Sequence, residues 1–237
     1  MSQPEHISLY LTEEHQCSYL PEEIAQTAFV DPSLIISEPI YSSLNQQGFR
    51  RSGSYFYRPQ CQQCNRCTPL RVKVSDFKPS RSQKRCLKAN QSLSVSVKQE
   101  VDIWSYYNLY SSYIEHRHRD GDMHPPVPDQ YESFLGESSN FVRYAEFHDQ
   151  DRLVMVAVMD QLADALSAIY TFFDPKYESL GLGNYAVLWQ LQHAKTRGIP
   201  YLYLGYWIED CGKMNYKSKY KPNQMLIDGS WKSSATD

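Results

Sequence analysis

The chain has 237 residues, with 24 Lys and Arg against 27 Asp and Glu, a formal net charge of −3 and 41% hydrophobic residues. This is ordinary for a soluble globular protein, and it gives enough chain for one large domain or two smaller ones. No apolar run approaches the roughly 20 residues that span a bilayer, and the amino terminus lacks the basic start and apolar stretch of a secretory signal, so a membrane role is excluded and a cytoplasmic location is expected. In that compartment the six cysteines (Cys17, Cys61, Cys64, Cys67, Cys86, Cys211) read as reduced thiols, metal ligands or redox sensors rather than as a disulfide framework.

In chain order, Pro21–Phe29 has a short helical pattern with proline in its first turn, closed by Asp31-Pro32. From Gly48 to Asn90 the chain carries eleven cations (Arg50, Arg51, Arg58, Arg66, Arg71, Lys73, Lys78, Arg81, Lys84, Arg85, Lys88) against one acid, Asp76. The remainder is therefore strongly acidic, and the local field rather than the total is what a polyanion meets. Interleaved aromatics (Phe49, Tyr55, Phe56, Tyr57) and Cys61-x-x-Cys64-x-x-Cys67 set this run apart from a solvated basic face. They point to a phosphate-rich partner, while the acidic remainder disfavours long duplexes such as DNA.

Residues 54–74 alternate as two strands on either side of the cysteine turn, and 92–98 alternates cleanly as a third. Ile103, Tyr106, Tyr107, Tyr110, Tyr113 and Ile114 predict an amphipathic helix over 102–119. A proline loop at 125–128 leads to a helix over 129–135. Strands are expected at 141–148, 153–162 and 165–173, then a helix over 184–196 and a strand over 201–206. The class is α+β with one βαβ-like crossover.

Two later segments carry chemistry. In SLGLGN, residues 179–184, Gly181 and Gly183 let backbone approach a ligand, and the following helix, entered at Asn184, offers N–H groups to an anion. It has neither the three-glycine dinucleotide fingerprint nor a phosphate-loop lysine, so neither ATP nor NAD is expected. From Gly205 to Leu226, Lys213, Lys217, Lys219 and Lys221 alternate with Tyr206, Trp207 and Tyr216, a pattern suited to stacking unpaired bases and contacting their phosphates.

The motifs CSYLPEEIAQT (17–27), GFRRSGSYFYRPQCQQCNRCTPLRVKVSDFKPSRSQKR (48–85), YIEHRHRDGDM (113–123), SLGLGNYAVLWQ (179–190) and YLYLGYWIEDCGKMNYKSKYKPNQML (201–226) resemble the bacterial aspartate/glutamate leucyltransferases. These belong to the R-transferase family, with the longer eukaryotic arginyl-tRNA–protein transferases. The resemblance implies transfer of leucine from leucyl-tRNA to the α-amino group of proteins beginning with Asp or Glu, which creates an N-end rule degradation signal. It also implies a GCN5-related (GNAT-like) acyltransferase fold over 101–237, behind a basic, cysteine-containing N-terminal domain over 1–100.

An aminoacyl ester is already activated, and an α-amine of pKa about 7.7–8.0 is partly neutral near pH 7. No cofactor is then required; the protein has to position two substrates and stabilise an oxyanion. The catalytic candidates are Glu209 and Asp210, with Tyr206 ending the strand that precedes them. Arg58, Arg71, Arg117, Arg119 and Lys213 are candidates to read the acceptor carboxylate, and Lys217 to hold phosphate. Leucine is expected against the tyrosines of 102–119 or against Trp207 and Met214. Cys17 with Cys61, Cys64 and Cys67 form a candidate four-thiolate site for zinc or an iron–sulfur cluster. The rival readings are a non-catalytic zinc-ribbon RNA-binding module, an arginyl rather than leucyl donor, and a coenzyme A-dependent acetyltransferase with pyrophosphate on SLGLGN.

Overall fold

In the computed structural model, residues 7–136 and 139–234 are described. The strands are β1 (Leu9–Leu11), β2 (His15–Gln16), β3 (Ile24–Ala25), β4 (Thr27–Val30), β5 (Arg50–Ser52), β6 (Tyr55–Pro59), β7 (Thr68–Lys73), β8 (Ser94–Lys98), β9 (Val142–Asp149), β10 (Arg152–Gln161), β11 (Ala165–Phe173), β12 (Tyr201–Trp207), β13 (Asn223–Ile227) and β14 (Ser230–Ser233). The helices are α1 (Glu38–Gln46), α2 (Arg81–Ala89), α3 (Tyr107–Arg117), α4 (Pro128–Leu135) and α5 (Leu182–Thr196).

An eight-stranded sheet runs β14-β13-β7-β12-β11-β10-β9-β8, and a four-stranded sheet runs β1-β4-β6-β5. The large sheet draws β7 and β8 from before residue 100 and its other strands from after it. One hydrophobic cluster takes in Phe56 and Leu70 from the first part along with Phe147, Leu166 and Leu202 from the second. Strand β10 is its centre: Val154 to Met159 are at most 1% exposed, as an apolar run covered on both faces should be. Helices α3 and α5 both pack on β11. Tyr110 meets Phe172 edge-on at 5.7 Å and Tyr185 meets Phe147 at 5.6 Å, geometries that aromatic quadrupoles favour.

The expected α+β class holds, as do the strands at 92–98, 141–173 and 201–206 and the helices over 102–119, 129–135 and 184–196. Strands β9 to β11 run antiparallel, and the glycine-led helix α5 joins β11 to the parallel strand β12. The helix expected over 21–29 is absent; that segment forms β3 and β4. Ala28 and Val30 point inward while Thr27 and Phe29 are half-buried, and β4 bonds to β1 and β6, so a period of two wins over the proline signal. Among the described residues no helix is long and apolar enough to cross a membrane.

The sheet has a fork. Strands β11 and β12 are parallel and pair only at Ala165↔Tyr201, Leu166↔Leu202 and Ser167↔Tyr203. Beyond that point β11 continues to Phe173 and β12 to Trp207 without bonding to each other. The register of β12 against β7 slips between Tyr203 and Gly205, and Gly205 has φ +81°, a conformation that a residue without a Cβ adopts cheaply.

Candidate functional site at the strand fork

Two cations sit where the strands diverge. Arg50, on β5, donates through Nη1 to Ser167 Oγ at 2.7 Å and through Nη2 to the carbonyl of Ala168, the first β11 residue past the paired segment. A Cβ on Gly205 would stand 3.1 Å from Arg50 Nε, so the glycine gives the guanidinium its room. Lys217, in a 3-10 turn over Asn215–Lys219, donates through Nζ to the Tyr206 carbonyl at 2.7 Å. Arg50 is 8% and Lys217 7% exposed. Burial, and then the charge of Arg50, pushes the Lys217 ammonium down to about 7, because both effects disfavour a second positive charge.

Of the residues singled out from the sequence, Tyr206 and Lys217 lie at the fork. Tyr206 is buried, its hydroxyl donates to the carbonyls of Gly48 (2.9 Å) and Tyr57 (3.3 Å), and burial holds its phenol well above the ordinary range. Glu209 and Asp210 are exposed just beyond β12. Asp210 pairs with Arg66 at 3.2 Å, whereas the Glu209 carboxylate has no bond among the described residues. Arg58 stacks on Phe49 with its guanidinium 4.9 Å from the ring centre and lines a cleft of about 460 Å³ with Gly48, Cys67, Pro69, Tyr206 and Leu226.

The other candidate cations already have partners. Arg71 is sandwiched between Tyr201 (3.9 Å) and Trp231 (4.3 Å) and donates to Gln224 and Tyr203. Arg117 pairs with Glu178 at 2.8 Å, Lys213 with Asp120 at 2.9 Å, and Arg119 donates to the Glu115 carbonyl. At the glycine turn, Gly181 (φ +64°) caps α5. A Cβ on Gly183 would touch Phe173 at 3.8 Å, and Asn184 accepts from Tyr220 Oη at 3.2 Å. Helix α2 leans on this turn, with Asn90 Nδ2 donating to the Leu180 carbonyl at 2.9 Å and Cys86 to that of Gly181 at 3.6 Å. That coverage takes up part of the space a pyrophosphate on SLGLGN would need.

The thiols collect at one end of the fork. Cys17, Cys64 and Cys67 pack with Leu20, Ile208, Cys211 and Met214, and Cys61 Sγ donates to the Gln26 carbonyl at 3.7 Å. Burial, reinforced by the neighbouring thiols, pushes Cys67 up to about 12. Among the described residues no three His, Cys, Asp or Glu side chains are arranged to hold a metal ion.

A second surface adjoins the site. Helix α2 begins with a capping box, Ser80 Oγ accepting from the Gln83 N–H at 3.3 Å and Gln83 Oε1 from the Ser80 N–H at 2.8 Å, which satisfies donors that a helix start leaves unpaired. Arg81, Lys84, Arg85 and Lys88 are all exposed. They follow the one-face spacing of a helix and make no ion pair among the described residues.

Comparison with known proteins gives a consistent result. The sequence profile "Arginine-tRNA-protein transferase, N terminus" matches residues 15–85, and the profile of its C terminus matches 105–227. The "Aspartate/glutamate leucyltransferase" of Teredinibacter turnerae is 50% identical over 232 residues, covering 98% of this chain and 96% of that protein. The protein of the same name from Marinobacter nauticus is 47% identical over 237 residues, the whole of both. Partial structural similarity extends to L-PGS from Bacillus licheniformis (11% identity, 72% of this chain and 49% of that one, TM-score 0.47) and to FemX (7% identity, 84% and 79%, TM-score 0.45).

Proposed function

Because the chain belongs to the arginine-tRNA–protein transferase family, and along nearly its whole length to the aspartate/glutamate leucyltransferases within it, we propose that the fork is where leucine passes from leucyl-tRNA to an α-amine. The acceptor is a protein that begins with Asp or Glu, and the new N-terminal leucine is an N-end rule degradation signal. In the reaction the amine nitrogen attacks the ester carbonyl carbon. A C–N bond forms, the bond from that carbon to the ribose oxygen breaks, the amine loses a proton and the ribose oxygen gains one. No external energy source is needed, since the ester is the activated species.

The observation that carries this reading is the stripe of four cations, unpaired among the described residues, on α2, which packs on α5 and whose Gln83 donates to the Lys219 carbonyl in the turn that holds Lys217. It offers phosphate contacts next to the place where two strands open. Bases of the single-stranded 3′ end would stack on aromatics beyond β12, such as Tyr216. Glu209 is the carboxylate available to take the amine proton, since Asp210 is engaged by Arg66; near neutral pH a minor fraction of the amine is already neutral and needs no base. Leucine would sit among the tyrosines of α3, with Tyr113 and Phe173 in edge contact at 4.9 Å.

The test mixes the protein with leucyl- or arginyl-tRNA and peptides led by Asp, Glu, Lys or Arg. Leucine should appear on Asp- and Glu-led peptides alone. Transfer confined to Lys- or Arg-led peptides, or from arginyl-tRNA only, overturns the reading. In the same assay Glu209→Gln should slow transfer and Asp210→Asn should leave it nearly intact.

A further inference from the structure

Arg50 and Arg51 are neighbours on one short strand, and they are treated very differently. Arg51 forms a two-point ion pair with Asp160 (Nε–Oδ2 2.8 Å, Nη2–Oδ1 2.7 Å). The same carboxylate also accepts from Tyr41 Oη at 2.8 Å, so both of its oxygens are engaged. Arg50 has no carboxylate among the described residues. Its bonds to Ser167 and Ala168 use two of the five N–H groups of a guanidinium. Lys217 has no carboxylate there either: its Nζ meets the Tyr206 carbonyl and Met214 Sδ at 3.1 Å. A guanidinium and an amine whose ammonium form burial disfavours, each more than nine-tenths buried, thus share one fork with no carboxylate bonded to either among the described residues. Burying an ion without a counter-ion is costly, and truly buried charges are paired. The missing partner is therefore one that a substrate brings.

We propose that Arg50 and Lys217 bind the side-chain carboxylate of the acceptor's first residue. This rests on the leucyltransferase reading above and deepens it by naming the acidic subsite. A carboxylate on a stem of one or two methylenes is far slenderer than a sugar–phosphate backbone, so of the two substrates the acceptor's first residue is the one suited to cations this enclosed. A guanidinium fork beside a flexible ammonium also suits both stem lengths, the first presenting paired donors and the second a movable charge. Of the other candidate cations, Arg71, Arg117, Arg119 and Lys213 are stacked, ion-paired or bonded to backbone elsewhere, while Arg58 lies flat on Phe49 in the cleft next to Tyr206 with its Nε unbonded among the described residues.

The experiment measures leucyl transfer to peptide pairs differing only in the first residue, Asp against Asn and Glu against Gln. The wild type is compared with Arg50→Gln, Arg50→Lys and Lys217→Gln, and leucyl-tRNA affinity is measured alongside. The ratio of kcat/KM for the acidic over the amide peptide should fall about tenfold or more in Arg50→Gln and Lys217→Gln, the loss expected when one charged donor to a carboxylate is removed. Arg50→Lys should restore part of it, and the Kd for leucyl-tRNA should hold. A general loss of structure would instead lower both members of each pair. If the wild type itself does not favour the acidic peptide, the leucyltransferase reading fails. If the wild type discriminates and the variants keep the ratio, only this inference fails. Weakened tRNA binding with an unchanged ratio assigns the cations to phosphate and also overturns it. Should the variants not fold, the Lys217 Nζ resonance of the wild type decides: an Asp-led peptide should shift it and an Asn-led peptide should not, and no difference between the two ends the proposal.

Discussion

Lys217 is charged in the unfolded chain up to about pH 10.5 but in the folded protein only to about 7. Between those values the unfolded state holds a proton that the native state has released, so stability rises as pH climbs through that window. The groups facing this ammonium are Arg50, Cys67 and Cys211, with the Tyr206 carbonyl and Met214 sulfur in contact. Unfolding midpoints of the protein and of Lys217→Met from about pH 6 to about pH 10 should show the difference moving in favour of the parent as pH rises. The ion pair nearby behaves otherwise. Arg51 and Asp160 are 4% and 0% exposed, and Asp160→Asn takes the two-point carboxylate from a buried guanidinium, a loss of about 3–5 kcal/mol by denaturant titration. At this scale the sequence was only partly legible. Lys217 stood out through its lysine-rich setting, but Arg50 was one cation among eleven. The signal that could have isolated it was Gly205 inside an apolar strand, where a glycine marks the close approach of another group.

Among the elements, those that bury a periodic face were readable and those that do not were missed. The tyrosine spacing of 102–119 and the unbroken apolar run of β10 correspond to surfaces that are buried. Helix α2 has no buried residue, so it leaves no apolar stripe, although the Ser80-x-x-Gln83 capping box was there to be read. Helix α1, introduced by Ser37 and Pro39, and the terminal hairpin of β13 and β14 also went unseen, the hairpin because its pairing with β7 is distant in sequence. The fork itself is an element-level feature that no local pattern encodes, since it arises where parallel pairing stops after Ser167 and Tyr203. Gly205→Ala tests how it is held open. The new methyl would press on Arg50 Nε at 3.1 Å in a backbone at φ +81°, costing about 1–2 kcal/mol. Transfer to Asp-led peptides should drop further than that loss of stability explains, because Arg50 is fixed by Ser167 and Ala168 and has little room to retreat.

Over the whole molecule, a net charge of −3 coexists with a basic run from Gly48 to Asn90, and α2 turns part of that asymmetry into a surface. Lys84→Glu with Arg85→Glu should weaken leucyl-tRNA binding and flatten the slope of log K against log salt by about 0.7–0.9 for each phosphate no longer neutralised. The melting temperature should stay put, because both side chains are exposed. The charge imbalance was legible from composition alone. That it lies beside the fork was not, because α2 reaches α5 only through the fold.

Strand β7 has its two neighbours far downstream: Arg71 bonds to Tyr203 across 132 residues and to Gln224 across 153. During synthesis β7 leaves the ribosome with neither flank covered, and it waits first for β12 and then for β13 to emerge. Nascent chains stalled before residue 223 should therefore be open to proteolysis and to chaperone capture in a way that the released protein is not, since contacts between distant segments form late and expose strand edges until they do.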